Sequence, residues 1–318
     1  MRIYSLMLVL CCGLIVACSS TGPDFPREET LVQELMPLQG ITNPWKVEVK
    51  PPYLIIQNVK RRDSIFHIYD LTSRELKSAF GVEGQGPDEF VSSYLFQGPL
   101  SDFLIGDFGK NQIARFGLDK EGQPVFKDAK TFGYDNALYD AAFINDSLYI
   151  ADPKYMLVPS LYMLAVKDSL PRKIWTYRSP DIMDYSLDPD MGNVYANESR
   201  MDINFNLIKR VTFDFDASDV SVLASENAKV SYAYGHLGKR YLYALFFGTS
   251  WKEHNANNTR GTILEVFDLD GNPVIRYHLD GKRPVQFAVD EETFTLYGSI
   301  EDGDPEDNLL VYKLKGLS

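Results

Sequence analysis

The chain has 318 residues, 45% of them apolar and 13% aromatic, enough to bury the core of one repeat-built domain or of two average ones. Its 44 acidic side chains outnumber 32 basic ones, and a formal charge of −12 repels phosphate backbones, which argues against nucleic acid as a partner. The only cysteines are Cys11, Cys12 and Cys18, so the rest of the chain has no means of forming a disulfide, a zinc-thiolate site or a cysteine nucleophile.

Met1-Arg2 is a short basic start, Ile3 to Ala17 is an apolar run of signal-peptide length, and Cys18 follows the small residue Ala17. That run is too short to span a bilayer permanently, so residues 1–17 read as a cleaved leader. Ile15-Val16-Ala17-Cys18 resembles a bacterial lipobox, which implies a diacylglycerol on Cys18 and attachment to the membrane through it. Ser19 at the second mature position resembles lipoproteins that travel on to the outer membrane, on its periplasmic or cell-surface side. Residues 18–29, polar and carrying Gly22, Pro23 and Pro26, read as a lipidated tether, and residues 30–318 as the folded domain.

From there one unit recurs, cleanest in Thr262 to Leu279, where two β-branched and aromatic runs flank the turn Asp270-Gly271-Asn272-Pro273. Related hairpins centre on Tyr69, Phe116, Ala165, Phe213, Phe267 and Tyr312, at spacings of 47, 49, 48, 54 and 45 residues. A hairpin alone is marginal in water, and a period in this range belongs to propeller blades. The expected fold is all-β, a six-bladed β-propeller of four-stranded antiparallel blades. Two further strands lie upstream of each hairpin, except in blade 4, where only Val194-Tyr195 stands out. The last blade has just three strands before the chain ends, so Leu31 to Met36 is expected to supply the fourth from the N-terminal side and remove the exposed edge.

Gly81 to Phe90, followed by Leu104-Ile105-Gly106-Asp107 and Asn111-Gln112-Ile113-Ala114-Arg115-Phe116, resembles the glycine-rich opening and D-x-x-x-N-x-[IV]-x-x-F register of an NHL-type blade. Gln112 stands where many such blades carry Arg. The stretch from Tyr241 to Gly298 is similar to the TolB-like six-bladed propeller lipoproteins of Bacteroidetes. Both resemblances concern the scaffold and imply no chemistry.

In such a blade the second-to-third and blade-to-blade links emerge at one end, which holds the long segments Gly81 to Ser92, Asp152 to Ser160, Ser179 to Gly192, Gly248 to Gly261 and Glu301 to Asp307. The other end has only tight turns, so the long-loop face is the expected binding face. Within Gly248 to Gly261, Trp251 offers an apolar plate and His254, Asn257 and Arg260 offer polar partners, a mixture suited to a glycan, peptide or envelope protein. Arg61 and Arg62, in the corresponding loop of blade 1, suit a carboxylate. Glu301 to Asp307 has the oxygen density of a Ca²⁺ loop without EF-hand spacing, and no other cofactor is expected.

No G-x-S-x-G elbow, P-loop or H-E-x-x-H motif is present, and His67 and His278 fall on outer strands. The expected function is a non-catalytic binding module in the cell envelope. The alternative is a metal-dependent lactonase-like or lyase-like enzyme with carboxylate and Asn ligands in the channel.

Overall fold

The computed structural model describes residues 24–41, 43–58, 63–98, 102–131, 138–145, 148–153, 160–165, 172–176, 185–188, 193–196, 199–201, 207–210, 229–250, 263–300 and 309–318; between 138 and 233, and at 247–250, the description is of the backbone. The strand Tyr53–Asn58 is buried at every position, as are Phe103–Asp107 and Thr295–Ile300. Each is the second strand of a sheet covered on both faces by neighbouring sheets, so successive side chains on both faces are buried. The strands Leu76–Phe80 and Pro124–Thr131 mix exposed and half-buried residues, as befits the outermost position.

Six sheets follow one another along the chain, and the structure is a six-bladed β-propeller. Blade 1 comprises Pro44–Lys50, Tyr53–Asn58, Phe66–Asp70 and Leu76–Phe80; blade 2, Ser93–Gln97, Phe103–Asp107, Gln112–Leu118 and Pro124–Thr131. Blade 3 comprises Leu138–Asn145, Leu148–Pro153, Ser160–Ala165 and Arg172–Thr176; blade 4, Tyr185–Asp188, Asn193–Ala196, Ser199–Met201 and Leu207–Arg210. Blade 5 comprises Lys229–Leu237, Tyr241–Ser250, Ile263–Asp268 and Pro273–Asp280, and blade 6 has Pro284–Asp290, Thr295–Ile300 and Leu309–Lys313. First strands of successive blades touch in chain order, and that of blade 6 touches that of blade 1, so the ring closes around an axial channel.

The tight turns are built by a recurring aspartate at the end of the third strand. Asp70 accepts from the amides of Thr72 and Ser73, Asp119 from those of Glu121 and Gln123, and Asp268 from those of Asp270 and Asn272. Gly271, at φ +77°, supplies the left-handed residue that this turn requires.

Two expectations need correction. Blade 4 was expected around a hairpin at Phe213, but its four strands all lie upstream of that residue, ending at Arg210; Phe213 itself lies outside the described residues. The N-terminal segment is not one closing strand but two. Glu34–Met36 closes blade 6 beside Leu309–Lys313, while Glu28–Val32 adds a parallel fifth strand to blade 5, paired with Arg276 to Asp280. Between them the Gln33 side chain accepts from the Lys282 amide, so one residue turns the chain from blade 5 to blade 6.

Candidate functional site

Four of the six first strands carry a register shift in their first half: between Pro44 and Val47, Leu138 and Asp140, Val230 and Tyr234, and Pro284 and Phe287. These halves lie at the long-loop end of the channel. A bulge there re-aims side chains that a regular strand would send into the blade-to-blade packing. In blade 1, Val47 and Val49 pack into the apolar cluster shared with blade 6. Trp45 and Lys46, inside the shift, instead meet residues of blades 2 and 5.

The contacts build an aromatic mouth. Trp45 stands edge-on to Tyr94 at 5.3 Å between ring centroids, and Tyr94 packs on Phe108 at 4.4 Å. The Lys46 ammonium lies 5.5 Å from the Phe96 ring centroid and 5.8 Å from that of Tyr234, close enough for cation-π attraction to both. Trp45, Lys46, Tyr94 and Tyr234 are half-buried.

Each plate is positioned by a polar side chain one element away. Gln57 of blade 1 donates to the Ser93 carbonyl at 2.7 Å and accepts from the Leu95 amide at 2.9 Å, bracketing Tyr94. Asp107 accepts from the amides of Val91, Ser92, Gly109 and Lys110, pinning the turn that carries Phe108. Asn58 accepts from the Asn43 amide just before Trp45. Gly106 leaves room for Phe96, whose ring would lie 2.5 Å from any added Cβ.

At the tight-turn end, polar side chains reach across the channel. Gln97 of blade 2 donates to the Leu237 carbonyl of blade 5 at 2.6 Å, and these blades lie opposite each other in a six-membered ring. Lys50 donates to the Gly98 carbonyl at 2.8 Å and pairs with Glu48 at 2.8 Å, all nearly inaccessible to solvent. Burial raises the Glu48 carboxyl, with Lys50 opposing. His236 is buried too; desolvation first, then the Lys50 charge, push its imidazole down to about 3, with a bond to the Val289 backbone acting the other way. Aromatic side chains and one ammonium thus stand at the long-loop end of the channel, above a hydrogen-bonded polar layer at the tight-turn end.

The His236 shift predicts an acid limb in stability. Its folded pKa lies below the unfolded value near 6.5, so its contribution is complete above that pH and is lost as pH falls toward about 3. Comparing urea midpoints of wild type and His236→Gln across pH 7 to 4 should show the wild type losing about 1.4 kcal/mol more per pH unit below about pH 6. Parallel curves would contradict the buried neutral imidazole.

The residues singled out from the sequence, Arg61, Arg62, Trp251, His254, Asn257 and Arg260, lie outside the described residues, as do Cys18 and Glu301 to Asp307. The segment expected as a loop from Gly248 is strand as far as Ser250. His67 and His278 lie on a third and a fourth strand. Glu48 and His236 bring a carboxylate and an imidazole to the channel, but Lys50 already meets the carboxylate's charge, which disfavours a divalent cation at that level. Among the described residues no three His, Cys, Asp or Glu converge.

The mouth itself was not read from the sequence, although a signal exists. Trp45, Tyr94, Tyr139, Tyr185 and Tyr232 place an aromatic at the start of five successive first strands, at spacings of 49, 45, 46 and 47 residues. The hairpin repeat is more apolar and gives the stronger periodic signal.

Residues 198–292 match the model of a family described as TolB-like 6-blade propeller-like. Among solved structures the chain is similar to a protein of Bacteroides fragilis described as exported, with a TM-score of 0.54 and 11% identity over 90% of this chain and 98% of that one. It is also similar to a member of the DUF4221 family from Bacteroides vulgatus, with a TM-score of 0.56 and 14% identity over 93% of this chain and 99% of that one. No curated protein matches the sequence. The family match and these shared folds bear out the TolB-like propeller resemblance read from the sequence.

Proposed function

We propose that this protein is an envelope lipoprotein of the outer membrane, held by a lipid on Cys18, whose propeller is a non-catalytic module binding a glycan, peptide or protein partner at the long-loop mouth of its channel. The observation that carries this reading is the aromatic cluster at the mouth. Aromatic plates and one ammonium stand at the long-loop side, while at the opposite end Gln97 and Lys50 donate to the backbone carbonyls of Leu237 and Gly98 and Lys50 pairs with Glu48. Aromatic faces stack on sugar rings or apolar side chains, and Lys46 supplies a cationic donor beside them. The exported fold neighbour supports the envelope address.

The site is tested by probing glycan and peptide arrays with the labelled mature domain, then titrating the best-binding probe calorimetrically. Trp45→Ala and Tyr94→Ala should each weaken that probe at least tenfold, while Phe126→Ala on the outer rim should leave it unchanged. Equal affinity in all four proteins would move the site elsewhere. For the anchor, Cys18→Ala is expected to release the protein from the membrane fraction; continued sedimentation with membranes would refute the lipidation.

A further inference from the structure

We infer that the propeller stands on its membrane with the tight-turn face of blades 5 and 6 toward the lipid and the aromatic mouth turned away. The inference rests on the Cys18 anchor proposed above and on where the chain joins the fold.

Asp24 is the first described residue, and the chain is fastened almost at once. Phe25 packs edge-on against Phe267 at 5.3 Å and lies under the Arg276 guanidinium at 4.6 Å. Arg27 donates to the Gly316 carbonyl at 2.6 Å, and its own carbonyl accepts from the Arg276 amide at 2.9 Å. Each partner marks one end of the propeller. Phe267 pairs with Pro273 beside the tight turn of blade 5, and Gly316 follows Leu309–Lys313, whose last residue is paired with Thr295 next to the tight turn of blade 6.

The direction of the next strand removes the remaining ambiguity. Glu28–Val32 runs parallel to Pro273–Asp280, which leaves the tight turn and ends at the long-loop face. The chain therefore arrives at the tight-turn end, climbs the outer edge of blade 5, and crosses at Gln33 to blade 6.

Length then sets the distance. Six residue steps separate Cys18 from Asp24, and fully extended they reach about 21 Å. The eight residues of Pro273–Asp280 rise about 26 Å along the blade. A lipid on Cys18 thus keeps the tight-turn rim within about 21 Å of the bilayer, less than one strand length, whereas the mouth lies a full strand length beyond. A flipped molecule would need the tether to pass the whole edge of blade 5, which about 21 Å does not allow. The mouth is accordingly presented to partners arriving from the aqueous side and not to the lipid on which the protein sits.

Because the chain has no cysteine after Cys18, single cysteines can report the orientation. Lys315→Cys lies beside the Arg27 contact, Lys282→Cys at the other end of the same blade edge, and Asp88→Cys in the long-loop link after blade 1; all three positions are exposed. Each lipidated variant is labelled with a small fluorophore and reconstituted into vesicles containing head-group spin-labelled phospholipid. Quenching at position 315 should exceed that at 282 and 88 at least twofold. Equal or reversed quenching in variants that float with the vesicles overturns the orientation and leaves the anchor standing. Failure of the Cys18-bearing protein to float overturns the anchor, and the orientation with it.

Discussion

Replacing Arg276 by Met is expected to lower the unfolding free energy by about 3–5 kcal/mol, because it strips the cationic partner from a carboxylate that cannot reach water. Glu265 is fully buried on the third strand of blade 5, directly opposite Arg276 on the fourth. The guanidinium meets it twice, Nε at 2.9 Å and Nη2 at 2.7 Å from the same oxygen. Its remaining ion pair, Nη1 to Glu28 at 3.0 Å, joins a partner that is almost half exposed. Glu28→Gln should therefore leave the midpoint nearly unchanged, since solvent already screens that pair. Denaturant midpoints of Arg276→Met, Glu28→Gln and the double variant Glu265→Leu/Arg276→Leu separate the effects. The double variant should recover much of the loss, since two apolar side chains leave no buried charge behind. A loss below about 1 kcal/mol for Arg276→Met would mean that Glu265 is neutral in the folded state or satisfied without the arginine.

A blade-to-blade comparison shows the pair to be part of a pattern. In blade 2, Arg115 on the third strand meets Asp128 opposite it on the fourth at 2.5 Å, with Asp102 at 3.9 Å, again a cross-strand pair of opposite charge. Cross-strand pairs of opposite charge favour one register over its one-residue slip.

Register is also where sequence reading stopped being sufficient. Hairpins centred on Tyr69, Phe116 and Phe267 were legible because each combines a β-branched or aromatic run with an Asp-led turn, and local chemistry decides both. Blade 4 was not, because strands such as Ser199–Met201 are three or four residues long and polar, so no period rises above the surrounding sequence. The hairpin signal at Phe213 then displaced the expected blade downstream. The aromatic mouth depends on register shifts at Pro44/Val47 and Val230/Tyr234, which arise from the fit of one strand on another, so the aromatic at the start of five first strands marks the positions without giving their direction. Asp107 and Gln57 illustrate the same limit. Asp107 was recognised as a scaffold motif, yet its carboxylate and the Gln57 amide determine where Phe108 and Tyr94 stand.

Removing residues 1–36 is expected to cost more than any single substitution, and to do so by opening the ring. Glu34–Met36 is the fourth strand of blade 6, and Glu28–Val32 covers the edge of blade 5. Leu31 and Met36 are nearly fully buried, Leu31 in the cluster shared by blades 5 and 6 and Met36 in the one shared by blades 6 and 1. Without them Leu309–Lys313 becomes a free edge with four of its five residues buried in the intact protein, an invitation to pair with another chain. The loss would also fall on the junction between the last blade and the first, because the chain that runs from Glu34–Met36 in blade 6 into Pro44–Lys50 of blade 1 is the covalent link between them. The truncated chain should accumulate as aggregate, or, if soluble, should lose amide protection first in Leu309–Lys313 as followed by hydrogen exchange. A synthetic peptide spanning residues 24–38, added during refolding, should restore that protection by occupying the same two edges, the logic of strand addition. A truncated chain that unfolds as cooperatively as the intact one would show that blade 6 closes without the N-terminal strands, and that their role is confined to carrying the tether.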